Sequence, residues 1–312
     1  MTVRGSQPPA SAPRRPDSTR RRLLAAGLAL PALLTLTRPA LAAPQPRPFN
    51  ARVIQSGHSL TDPIVPALES IVRAIGGKET IGMKMDRSTV PGSPMENRWQ
   101  ERNRNFPDAV HDIAGYDVLV LTERVPLSAT LPWHASEQMA LNFFDNTWTK
   151  GNDGKGAETI LYASWVDIDS GPDTKYAYKD PDMYIPFRQR MDTEMIGWAK
   201  ILDFVNANRP AGSPAMVMIP GPLVMAALHD ALQAGTAPGI SRMEDLFDDM
   251  IHVNKAGAFM IALAHYAVIY RRNPRDLPAR VGVESAGSQA TADWMKAMVW
   301  DVVRAYPKSG LV

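Results

Sequence analysis

The 312-residue chain contains no cysteine. That excludes disulfides, thiol nucleophiles, thiolate metal sites and a lipidated cysteine anchor. Histidine is scarce too: six residues, few enough to weigh one at a time. Charge of either sign is nearly balanced, 34 basic against 32 acidic side chains, and the small basic excess is local. Seven arginines and one aspartate fall within residues 1–42, which leaves 27 basic and 31 acidic side chains, a formal charge of −4, in residues 43–312. Nothing in this mildly acidic remainder suggests a nucleic-acid surface. Long hydrophobic runs are missing as well. The apolar stretch from Leu23 to Leu36 falls short of the roughly 20 residues needed to span a bilayer, so no permanent membrane span is expected.

What is there begins with that same segment. A Pro-, Arg- and Ser-rich start leads into Thr19-Arg20-Arg21-Arg22-Leu23-Leu24, then the short apolar run, then Ala40-Leu41-Ala42. Basic region, apolar core and small-residue exit are the three parts of an export signal. Arginines directly before the apolar run resemble a twin-arginine signal, which implies the twin-arginine export machinery as a partner and a periplasmic or secreted location. Residues 1–42 are read as the cleaved signal and 43–312 as one domain, large enough to rely on its core without disulfides.

Five nearly continuous apolar runs, at 51–56, 80–85, 117–122, 159–164 and 215–220, read as buried parallel strands. Helical periodicity follows at 63–75, 136–144, 192–206, 222–234, 255–270 and 290–305. Strand-then-helix repetition predicts a three-layer α/β/α fold around a central, mostly parallel five-stranded sheet. Segment 166–190 lacks a period and reads as a long irregular loop.

Two short stretches carry chemistry. Gly57-His58-Ser59-Leu60 follows the first strand, at the carboxyl edge where such sheets bind ligands. A serine before a helix is commonly a cap, so the hydroxyl needs a partner to be a nucleophile. Asp248-Asp249-Met250-Ile251-His252-Val253-Asn254 supplies a histidine with an aspartate three residues before it. A neutral imidazole takes the hydroxyl proton, and a carboxylate orients the imidazole and balances its charge. His58 and Asp62 could instead join Asp249 and His252 as mixed N/O metal ligands, but no dedicated ligand spacing is present; neither a metal nor a cofactor is expected.

Together the two stretches resemble the first and last sequence blocks of the SGNH (GDSL-like) hydrolase superfamily, as a divergent member. The resemblance implies that Ser59 attacks an ester carbonyl, that His252 is its base and that Asp249 positions His252. It also implies an oxyanion site built from the amides of Ser59 and of a glycine after strand two, for which Gly92 in Val90-Pro91-Gly92 is the candidate. Two departures stand out. His58 occupies the place of the family's aspartate, and Leu121-Thr122-Glu123-Arg124 replaces its Gly-x-Asn-Asp block. Thr122 is the remaining hydroxyl donor there, and Arg124 offers either a charged fork or a surface partner for Glu123.

Trp99, Trp133, Trp148, Trp165, Tyr176, Tyr178 and Tyr184 cluster in the connections after strands two to four. Loop packing accounts for any one of them, but Trp165 and His58 are candidates to contact substrate. The expected activity is hydrolysis of a carboxylic ester, a short acyl or acetyl group on carbohydrate being the favoured form. The rival expectation is a non-catalytic periplasmic binding or polymer-modification accessory protein on the same fold.

Overall fold

The computed structural model describes residues 45–175 and 180–311. The export segment 1–42, and Tyr176 and Tyr178, lie outside the described residues. Five strands, β1 (Arg52–Gly57), β2 (Lys84–Thr89), β3 (Val118–Leu121), β4 (Glu158–Ala163) and β5 (Val217–Pro220), form one sheet in the order β2-β1-β3-β4-β5. Every pairing is parallel. The chain steps outward from β1 to β2, then crosses back to β3 on the other side of β1. Strand order therefore reverses between β1 and β3, the place beyond whose carboxyl ends sheets of this kind bind ligands.

Alternation along the strands sorts side chains into two layers. Val53, Val118, Val120, Ile160, Tyr162 and Ile219 face helices α1 (Ile64–Gly76), α6 (Gly221–Gln233), α7 (Lys255–Tyr270) and α9 (Gln289–Ala305). Ile54, Leu119, Leu121, Leu161, Ala163 and Met218 face α2 (Met95–Gln100), α4 (Ser136–Gly154) and much of α5 (Phe187–Asn208). Short turns α3 (Leu127–Thr130) and α8 (Val283–Ala286) complete the set. Burial on both faces explains why the strands read as unbroken apolar runs. Helix α7 has no charged side chain after Lys255 and is buried from Gly257 to Tyr270. It packs between α1 and α9, and a helix that is apolar all round belongs inside.

Boundaries differ from expectation at β2, α4 and α5, and α4 runs on to Gly154 rather than ending at 144. The second strand lies at Lys84–Thr89 rather than 80–85. Thr80 closes a 3₁₀ turn by donating its hydroxyl to the Gly77 carbonyl at 2.7 Å, and Gly82 then turns the chain with φ of 87°. As an edge strand, β2 tolerates polar residues: Asp86 accepts from the Tyr116 hydroxyl at 2.9 Å, and Arg87 lies over the Phe106 ring. Helix α5 begins at Phe187, so the irregular segment after β4 is shorter than 166–190. Among the described residues no helix is long and apolar enough to cross a membrane.

Candidate active site

Ser59 lies two residues past β1, on the carboxyl edge of the sheet. It does not cap α1, which starts at Ile64 with Pro63 at its N-cap and no side-chain cap bond. The turn between them closes on itself, Thr61 N donating to the His58 carbonyl at 2.8 Å. Gly57 is required here by space, because a Cβ would fall 2.1 Å from the Thr61 hydroxyl oxygen. The serine hydroxyl is thus held free of the helix and faces a different partner: His252 Nε2, at 2.9 Å.

His252 stands on a tight loop before α7. Phe247 and Val253 form an antiparallel bridge, Asp248 N donates to the His252 carbonyl at 2.8 Å, and Asn254 N donates to the Leu246 carbonyl at 3.0 Å. Asn254 then caps α7, accepting from the amides of Ala256 and Gly257 at 2.9 and 3.2 Å. Gly257 lets the helix approach the loop, since a Cβ would sit 2.5 Å from the Leu246 carbonyl oxygen. Asp249 Oδ1 accepts from the amides of Ile251 and His252 at 2.8 and 2.7 Å, which leaves Oδ2 for His252 Nδ1 at 2.7 Å. With its proton on Nδ1, the ring turns the Nε2 lone pair toward Ser59 Oγ. Partial burial works to raise the Asp249 pKa, but the two amides and the imidazole outweigh it and hold the carboxyl below its usual range. The site is open: the His252 and Asp249 side chains are 42% and 54% exposed.

Beneath Ser59 the sheet edge is polar and closed. His58 is buried; its Nε2–H donates to the Glu123 carbonyl at 3.0 Å and its Nδ1 accepts from Leu60 N at 3.4 Å. Burial foremost, then the positive charge of Arg98, pushes its pKa down to about 3, so the ring is neutral. Glu123, fully buried, accepts from the amides of Met95 and Arg124 at 2.9 and 2.6 Å. Buried Arg98, from α2, donates to Ser56 Oγ at 3.2 Å, to Ser93 Oγ at 3.1 Å and to the Thr122 carbonyl. It ties the ends of β1 and β3 to the loop after β2. Burial lowers its pKa to about 10, with the Glu123 carboxylate opposing.

The other anticipated residues lie as follows. Gly92 is exposed with φ of 64°, a left-handed conformation suited to glycine. Val90 N bonds the Gly57 carbonyl at 3.1 Å, which brings this loop against the end of β1. The amides of Ser59 and Gly92 have no protein acceptor among the described residues. The Thr122 hydroxyl is buried and donates to the Glu123 carbonyl at 3.4 Å. Burial corrects the substrate-contact expectation for His58 and Trp165. Trp165 is fully buried and donates Nε1–H to the Ile251 carbonyl at 2.9 Å, while Ile168 N bonds the Met250 carbonyl at 2.8 Å. Both therefore hold the loop that carries Asp249 and His252. Asp62 accepts from Thr89 Oγ1 at 2.6 Å and Arg87 at 3.1 Å, away from any ligand set. Arg98 is the residue that sequence reasoning missed. It lies in the charged run Met95-Glu96-Asn97-Arg98, and nothing local distinguishes it from a solvated arginine.

Fold and site thus define a doubly wound, all-parallel α/β protein with a Ser–His–Asp hydrogen-bonded chain at the carboxyl edge of its sheet. No family model and no curated protein sequence matches the chain. Among solved structures it is similar to a DUF4886 family protein from Bacteroides uniformis, with a TM-score of 0.52 at 13% identity over 82% of this chain and 95% of that one. That likeness is one of fold. It is also similar to an acetyl xylan esterase, with a TM-score of 0.45 at 15% identity over 70% of this chain and 99% of the other.

Proposed function

We propose that the protein is an exported serine hydrolase that cleaves a carboxylic ester through an acyl-enzyme on Ser59. The observation that carries this reading is the 2.9 Å contact between Ser59 Oγ and His252 Nε2, with Asp249 on the far ring nitrogen. Ser59 attacks the ester carbonyl as His252 takes its proton, and Asp249 steadies the imidazolium. The tetrahedral oxyanion rests on the two unengaged amides, Ser59 and Gly92; losing one such donor typically costs about 3–4 kcal/mol of transition-state stabilisation. His252 returns the proton to the leaving alcohol. Water activated by the same ring then releases the acid. A short acyl ester on carbohydrate suits an open site, and Trp133 and Tyr184 are exposed in the connections after β3 and β4. Export in this reading follows the basic, apolar and small-residue pattern of residues 1–42 and leads to the periplasm or beyond.

The second reading is a non-catalytic periplasmic accessory protein. Glu123 favours it, because a carboxylate turned inward onto two amides offers an oxyanion nothing from the β3 edge. Hydrolysis of p-nitrophenyl acetate by residues 43–312, beside Ser59→Ala, separates the two. The hydrolase reading expects the variant to lose most of its rate and to lose labelling by a fluorophosphonate. Equal rates for both proteins would overturn Ser59 as the nucleophile and support the accessory reading.

A further inference from the structure

Past Glu123 the β3 edge carries a guanidinium that the hydrolytic steps do not use. The chain path places it near the nucleophile: His58, next to Ser59, bonds the Glu123 carbonyl, and Arg124 is the following residue. Its side chain is half-buried and tethered at two nitrogens. Nε donates to Thr130 Oγ1 at 3.3 Å, and Nη2 donates to His134 Nε2 at 3.2 Å. His134 accepts there because its other nitrogen, Nδ1, donates to Glu96 Oε2 at 2.7 Å. A carboxylate on α2 thus fixes the tautomer of an imidazole, and the imidazole fixes the fork of the arginine. Nη1 has no partner among the described residues, and Arg124 makes no ion pair there. Trp133, beside His134, is 79% exposed.

A preoriented guanidinium without an ion-pair partner, on the same sheet edge as a nucleophile, is a recognition element for a carboxylate. The geometry points to Arg124 as an anion-recognising subsite, held by Thr130 and the Glu96–His134 pair, that selects esters bearing a carboxylate. This rests on the hydrolase reading and adds the substrate class to it. Surface pairing does not explain the arrangement, because Glu123 turns its carboxylate into the protein and Glu96 reaches Arg124 only through His134. The charge is also felt at the site, where it helps keep His58 neutral.

The carboxylate could sit on the acyl or on the alcohol side, and two substrate pairs distinguish these. Mono-p-nitrophenyl glutarate against p-nitrophenyl pentanoate tests the acyl side. Para-acetoxybenzoate against its methyl ester tests the alcohol side. In one pair the wild-type protein should favour the anionic member in kcat/KM by roughly tenfold or more, the worth of one charge-assisted hydrogen bond, mainly through KM. Arg124→Gln should bring that ratio close to one, and Arg124→Lys should keep only part of it, since an ammonium does not reproduce the fork. Raising the salt concentration should shrink the wild-type ratio, a readout that needs no variant. Wild-type ratios at or below one in both pairs would overturn the subsite. So would equal losses on anionic and neutral esters in Arg124→Gln with an unchanged melting curve. A p-nitrophenyl acetate rate that depends on Ser59 leaves the hydrolase reading standing in either case; no turnover of any ester removes both.

Discussion

Trp165 and Ile251 are joined by a 2.9 Å hydrogen bond from indole to main-chain carbonyl, although 86 positions separate them. The indole is fully buried just past β4, so the sheet itself splints the loop that carries Asp249 and His252. Phe247 reinforces the joint, edge-on to the same indole with ring centroids 6.3 Å apart. Rigid support of this kind matters because displacing reacting groups by about 1 Å can cost on the order of 100-fold in rate.

Trp165→Phe should therefore separate kcat from KM. Phenylalanine fills most of the space but has no N–H for the Ile251 carbonyl. Loss of that bond should cost about 1–3 kcal/mol of stability, read from urea unfolding. On an ester substrate kcat should drop about tenfold or more, with KM little changed, because the indole is too deep to touch substrate. A raised KM with unchanged kcat would mean that position 165 faces the ligand after all.

Asp249→Asn tests the carboxylate. An asparagine can still accept from the Ile251 and His252 amides through one oxygen, so the loop should keep its shape and the melting temperature should barely move. What changes is the group facing His252 Nδ1. An amide N–H there favours the opposite tautomer, which puts the ring proton on Nε2 and removes the lone pair from Ser59. In serine hydrolases with this arrangement the change costs about 10⁴-fold in kcat, and a loss of that order is expected here. Unchanged turnover would show that another acid orients His252.

How much of this was readable in the chain depends on whether the cause was local. β1, β3, β4 and β5 were legible because burial on both faces demands unbroken apolar runs. β2 was not, because an edge strand reading Lys-Met-Asp-Arg-Ser-Thr carries its polar groups to partners such as Tyr116 that no window includes. The Asp249–His252 spacing was readable because three residues of one turn bring both side chains together. The work of Trp165 and Arg98 was hidden, since burial of an indole or a guanidinium is decided by distant elements.

Arg98 provides the test of that hidden layer. Its guanidinium joins Ser56, Ser93 and Thr122, and its charge offsets the buried Glu123 carboxylate. Arg98→Met should destabilise, by about 1–3 kcal/mol for each buried oxygen left without its donor. Adding Glu123→Gln should restore part of the loss, because the orphaned charge goes with it. The comparison needs four urea-unfolding curves: the wild type, each single variant and the double. Strict additivity of the two changes would show that the charges do not compensate one another.

Acid sensitivity follows from buried groups on both layers. Burial pushes His58 down to about 3 and His265 down to about 4, from an ordinary value of 6.5. Between those limits each unfolded histidine takes up a proton that the folded one refuses. Their contribution to stability is complete above about pH 6.5 and is lost as pH falls. Glu194 works the other way. Burial, opposed by Arg190, raises it to about 7, so its contribution is present at low pH and lost as pH rises through that value. Two histidines against one glutamate leave these three groups, taken together, binding more protons in the unfolded chain between roughly pH 4.5 and 6.5. Stability should then rise with pH across that window. His265→Leu should flatten the slope toward zero, and Glu194→Gln should steepen it. Urea-unfolding free energies at several pH values across the window would check this. A wild-type slope that neither substitution moves would place the titrating groups elsewhere in the fold.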